Sequence, residues 1–177
     1  MNRRARATAV RARTVLSIPC AAAELAAAQG IDKTVRARAA VARARRFMED
    51  LRWSEARRLV EEAIAFAPYD PVTVSAAGDI ALRQQSFDSA VALYDQAGRE
   101  GDAEAAAKSR GLADALRAES ALAGGDAASI VEAAAFWTRT GTPGRALDLL
   151  ERASAARPGE AAFAGPLAEL RRFYGLD

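Results

Sequence analysis

Apolar and small residues return at helical spacing along most of the chain, and three stretches share one skeleton. In WSEARRLVEEAIAFAP (53–68), FDSAVALYDQAGREGD (87–102) and PGRALDLLERASAARP (143–158) an aromatic residue or proline leads. An alanine follows three residues later (Ala56, Ala90, Ala146), and a second lies seven beyond it (Ala63, Ala97, Ala153). That periodicity predicts helices at 33–50, 54–67, 71–84, 87–99, 103–122, 127–139, 144–156 and 160–173. Turn residues separate them: Trp53-Ser54, Pro68-Tyr69-Asp70, Ser86, Gly101-Asp102, Gly124-Gly125-Asp126, Gly141-Thr142-Pro143-Gly144 and Pro158-Gly159. A shorter helix is expected before these, with Pro19 in its first turn and its end before Gly30. Asp32 would then be the N-cap of the next. Helices of about 13 residues joined by three- or four-residue loops favour antiparallel hairpins.

Composition supports this reading. At 177 residues and 51% hydrophobic, one domain can bury a core, and much of the apolar fraction is helix-forming alanine. Aromatics make up 6% and β-branched runs are short, which leaves little to build a sheet from. The expected fold class is all-α.

The repeats have a fixed period. Ala56 to Ala90 and Ala63 to Ala97 are both 34 residues, the signature of a stacked helical hairpin. In 37–70 the key places hold Ala44, Phe47, Ala56, Val60, Ala63 and Pro68. In 71–104 they hold Gly78, Ala81, Ala90, Tyr94 and Ala97, with Asp102 at the proline position. In 127–160 they hold Ala134, Trp137, Ala146, Leu150, Ala153 and Pro158. These residues resemble the tetratricopeptide repeat family, over about 37–174. Small residues let paired helices approach, and a large neighbour fills the gap beside them. The resemblance implies a right-handed α-solenoid over 32–177, with repeats 37–70, 71–104 and 127–160 and a capping helix at 160–173. Ala90 to Ala146 is 56 residues, so 103–122 reads as an extra helix. An alternative pairs 103–122 with 127–139 and 144–156 with 160–173.

The resemblance also implies a peptide groove along the inner face of each first helix. Its positions here are Arg38, Val41, Arg45, Met48 and Glu49; Val72, Ser75, Asp79, Leu82 and Arg83; and Ala128, Val131, Ala135, Thr138 and Arg139. The asparagines and lysines of the family's clamp for chaperone tails are missing from these positions. Apolar residues flanked by arginines suit a segment with apolar anchors and some acidic character.

Charge is uneven. Residues 1–46 carry eleven basic residues (Arg3, Arg4, Arg6, Arg11, Arg13, Lys33, Arg36, Arg38, Arg43, Arg45, Arg46) against Glu24 and Asp32, whereas the rest is net acidic. This reads as a basic arm, 1–31, on an acidic body. The arm is expected to pack on its own or a neighbouring chain, giving a homo-oligomer, ahead of binding an anionic membrane or nucleic acid. No aromatic residue before Phe47 is available to stack on bases. Retained, the arm implies a cytoplasmic protein. Its basic start, weak apolar stretch and small residues also fit a leader cleaved near residue 28, which would make the protein periplasmic or secreted.

Catalytic chemistry has little to work with. There is no histidine, which excludes Ser-His-Asp and Cys-His catalysis and His-ligated zinc. Cys20 is the only cysteine and reads as an incidental apolar residue. The adjacent Glu61 and Glu62 do not face each other as an acid–base pair would. The sequence GTPG (141–144) lacks the Lys-Ser/Thr of a phosphate loop and reads as a turn. Trp53 and Trp137 read as packing residues. The expected function is that of a non-enzymatic, cofactor-free adaptor, scaffold, assembly factor or small chaperone binding a peptide segment. The alternative is a nucleic-acid- or membrane-associated protein that binds through the basic arm.

Overall fold

The computed structural model describes residues 18–176, with side chains from Asp32 onward. Of the expected arm at 1–31, residues 1–17 lie outside the described residues, as does the Cys20 side chain, and 18–31 begin the first helix. Every regular element among those described is helical: α1 (Ile18–Glu49), α2 (Trp53–Phe66), α3 (Pro71–Arg83), α4 (Phe87–Arg99), α5 (Ala103–Ser120), α6 (Ala127–Arg139), α7 (Pro143–Ala156) and α8 (Ala161–Tyr174). None of them is long and apolar enough to cross a membrane.

The chain divides into two compact units at Ala76–Ala77, within α3 and so within the stretch 71–104 that reads as one repeat. In the first unit α1 packs on α2. Helix α2 buries Ala56, Leu59, Val60 and Ala63, one stripe at i, i+3, i+4 and i+7. Ala37, Ala40, Val41 and Ala44 of α1 are buried as well. In the second unit α4 packs on α5, α5 on α6, α6 on α7, and α8 on both α7 and α6. Helices α5 and α6 are therefore neighbours, as are α6 and α7, so the two pairings open at the sequence level are both present as contacts. Helix α7 repeats the α2 stripe with Ala146, Leu149, Leu150 and Ala153, and α4 buries Ala90, Tyr94 and Ala97.

Helix starts follow aspartates. Asp126 accepts hydrogen bonds from the Ser129 amide and hydroxyl, and Asp102 accepts one from the Ala105 amide. Asp70 does the same for Thr73 at the head of α3. Asp32 departs from expectation. Helix α1 runs unbroken through Gly30 and Asp32, and Asp32 pairs with Arg36 one turn on rather than capping anything. A β-carbon at Gly30 would meet nothing within 4 Å, and the residue costs the helix only its propensity.

Four turns are built alike. Before α2, α4, α5 and α7 the backbone takes a positive-φ residue, Leu51 (φ 59°), Gln85 (φ 60°), Gly101 (φ 101°) and Gly141 (φ 77°). The next residue's amide then reaches back to a carbonyl five residues earlier: Arg52 to Phe47, Ser86 to Ala81, Asp102 to Ala97, Thr142 to Trp137. This is the double-bonded C-terminal motif that closes orphan carbonyls at a helix end.

Candidate partner-binding cleft

Helix α6 buries Ile130, Ala133, Ala134, Phe136 and Trp137. Trp137 anchors it. The indole is fully buried, 5.6 Å from the Phe87 ring and 5.2 Å from that of Phe136. The Arg145 guanidinium lies 4.5 Å from the indole and 4.4 Å from Phe87. Arg145 also donates from Nε to Glu119 Oε1 (2.8 Å) and from Nη2 to Oε2. A half-buried cation against two aromatic rings and a two-point carboxylate contact hold α4, α5, α6 and α7 together at one place.

With that face spent, Val131, Ala135, Thr138 and Arg139 line a cleft of about 660 Å³. Gly141, Pro143 and Leu150 contribute from the turn and α7, and Pro166, Glu169, Leu170 and Phe173 from α8. The Thr138 hydroxyl donates to the Ala134 carbonyl (2.9 Å) within its own helix, leaving its methyl group for the cleft. Arg83 Nη1 donates to the Gly141 carbonyl at 3.3 Å, tying α3 to the turn that precedes α7. A space of this size, apolar with a few charged groups, suits side-chain anchors of a bound segment. A second cleft of about 530 Å³ lies between α5 and α6, where Ala128 sits. Asp114, Arg117, Asp126 and Glu132 line it, and that mixed, solvated wall has less to offer an apolar ligand.

Of the groove positions expected from sequence, the structure brings Val131 and Arg139 to one cleft, together with Ala135 and Thr138, while Arg83 reaches the Gly141 carbonyl and does not line that cleft. Val41 and Leu82 require a correction: 1% and 6% exposed, they belong to the core and offer nothing to a partner, and Ser75 is buried too. Asp79 is occupied, accepting from the Tyr94 hydroxyl (2.8 Å) and from Lys108 Nζ (3.0 Å). Burial, and then Asp79, push the Tyr94 phenol up, so it remains a donor. Burial would lower the Lys108 pKa, but the charges and hydrogen bonds of Asp79 and Glu104 outweigh it and raise it. Arg38 is likewise engaged, with Nε and Nη2 on Asp70 Oδ1 at 3.0 and 2.7 Å, and that hydrogen bonding raises its pKa. In the first unit Arg45 and Glu49 are exposed, and Met48 and Val72 half-buried.

The residues given packing roles, Ala44, Ala56, Ala63, Ala90, Tyr94, Ala97, Trp137, Ala146, Leu150 and Ala153, are all buried, and Gly78 is covered by the Tyr94 ring. Phe47 is half-buried, with the Arg52 guanidinium 4.5 Å from its ring. The α8 wall was not read from sequence, although Pro166, Leu170 and Phe173 stand at i, i+4 and i+7. No protein-family model matches the chain, and no curated protein matches it.

Proposed function

We propose that this chain is a non-enzymatic interaction module, a tetratricopeptide-like helical-repeat adaptor or assembly factor. It captures the apolar anchors of a partner segment in the cleft between α6 and α8. The observation that carries this reading is the cleft itself: an apolar floor of Val131, Ala135 and Leu150 with Arg139 at its edge. Apolar anchors give the affinity, and the Arg139 guanidinium selects a segment with a carboxylate near it. A photo-crosslinking residue placed at Thr138 should trap a partner in cells, and one at the exposed Arg152 of α7 should not. Ala135→Trp, which fills the cleft, should abolish the Thr138 adduct while helical content is unchanged. Adducts that form equally from both positions, or that survive Ala135→Trp, would refute the reading.

A second reading rests on α1, where Lys33, Arg43, Arg45 and Arg46 are exposed and make no ion pair among the described residues. Exposed basic side chains without ion-pair partners attract polyanions. If this face is the binding surface, retention on heparin should fall steeply with salt and should be lost in an Arg43→Glu/Arg46→Glu variant.

A further inference from the structure

We infer that the cleft between α6 and α8 also accepts α8 of a second copy of this chain, in a two-fold pairing. In the second unit, the exposed large apolar residues among those described are Phe173, Tyr174 and Leu176, at 72%, 42% and 58%. Phe173 and Tyr174 end α8 and Leu176 follows its Gly175 cap, and Phe173 is at the same time a wall of the cleft. Helix α8 buries only Phe163 completely, and the ridge formed by Pro166, Leu170 and Phe173 is left for something else to cover. Apolar surface collected in one place, beside a concavity of matching character, marks an interaction site.

Charge selects the occupant. Arg139 stands on the α6 wall and Glu169 on the α8 wall of the same cleft. Neither makes an ion pair, with the other or with any described residue. A surface with an apolar ridge carrying a carboxylate, next to an apolar slot carrying a guanidinium, is complementary to itself. A two-fold axis satisfies both halves at once, because residue i of one copy meets residue j of the other twice over. The ridge of each copy enters the slot of its mate, and Glu169 of each reaches Arg139 of the other. Such a pairing covers the cleft, so a captured segment must displace the second copy.

Sedimentation velocity of the full chain over a concentration series tests this, with circular dichroism to confirm folding. The wild type should approach twice the monomer mass as concentration rises. Glu169→Arg alone and Arg139→Glu alone should each weaken association by about a hundredfold, since either change creates two like-charge contacts worth roughly tenfold apiece. An equimolar mixture of the two variants should recover the dimer, because each repulsion then becomes an attraction. A merely structural role for either residue would give no such recovery. A wild type that stays monomeric overturns the inference while leaving partner capture in the cleft untouched. So does a dimer indifferent to both changes, or a mixture that fails to reassociate.

Discussion

A β-carbon built on Gly78 would stand 2.6 Å from Cε1 of Tyr94, inside any real contact distance, and the Tyr94 ring is itself fully buried. The glycine exists for the tyrosine. Gly78→Ala should therefore destabilise the fold despite alanine's better helix propensity, by about 1–3 kcal/mol of overpacking less about 1 kcal/mol of propensity. Gly30→Ala, in a helix with open space around it, should raise stability by up to about 1 kcal/mol. Thermal melts of the two variants should move in opposite directions, and two shifts of the same sign would mean that α3 and α4 are not packed in this way.

The left-handed turns make a second contrast. Gln85 holds φ 60° where Gly141 holds φ 77° in the equivalent turn. An L side chain in that region costs about 1–2 kcal/mol, partly offset by the greater freedom glycine has when unfolded. Gln85→Gly should stabilise by about 0.5–1 kcal/mol and Gly141→Ala should destabilise by a similar amount, read from urea midpoints at constant m-value.

Arg145 should prove costly to remove. Its side chain is 29% exposed and that of its partner Glu119 only 14%. Arg145→Ala strips two aromatic faces of their cation and leaves a largely buried carboxylate alone, a loss of about 2–4 kcal/mol. Adding Glu119→Gln should return part of that loss. A double variant no more stable than Arg145→Ala would show that the carboxylate plays no part.

Acid should act on the α2 start. Hydrogen bonds from Arg52 and then Ser54 hold the Glu55 carboxyl at about 2, against an ordinary 4.5. A carboxyl with a lowered folded-state pKa stabilises fully above its unfolded value, and that contribution fades as pH falls from about 4.5 towards 2. Glu55→Gln should show a shallower loss of stability across this window than the wild type, while the two respond alike between pH 5 and 7. The Asp126 carboxyl, lowered by the Ser129 amide and hydroxyl, adds to the same acid limb.

The helices were legible because their ends are written in local chemistry. Asp70, Asp102 and Asp126 sit where orphan amides need an acceptor, and the expected and observed boundaries of α2 to α8 agree to within about two residues. The break expected at Gly30–Asp32 failed for a physical reason: both residues are tolerated inside a long helix when the preceding turn is helical too. Leu51 and Gln85 gave no sign of a left-handed turn, because the tertiary fit of each hairpin overrides the preference for glycine. In the cleft, Val131, Ala135, Thr138 and Arg139 are placed on one face by the resemblance to the repeat family. Val41 and Leu82 could not be told from surface residues, since an apolar residue on a helix face looks the same whether a neighbour or solvent covers it. The α8 wall carries no comparable sign, because a terminal helix has no repeat partner with which to share a pattern.

The tryptophans supply an optical consequence. Trp53 opens α2 in the first unit, and Trp137 lies under the Arg145 guanidinium in the second, so each unit holds a single indole. Trp137, shut away from water, should emit further to the blue than the half-buried Trp53. Trp53→Phe and Trp137→Phe therefore turn one chain into two reporters, each blind to the other half. Overlaid against denaturant, their emission curves would separate the melting of residues before Ala77 from that of residues after it, with no label added.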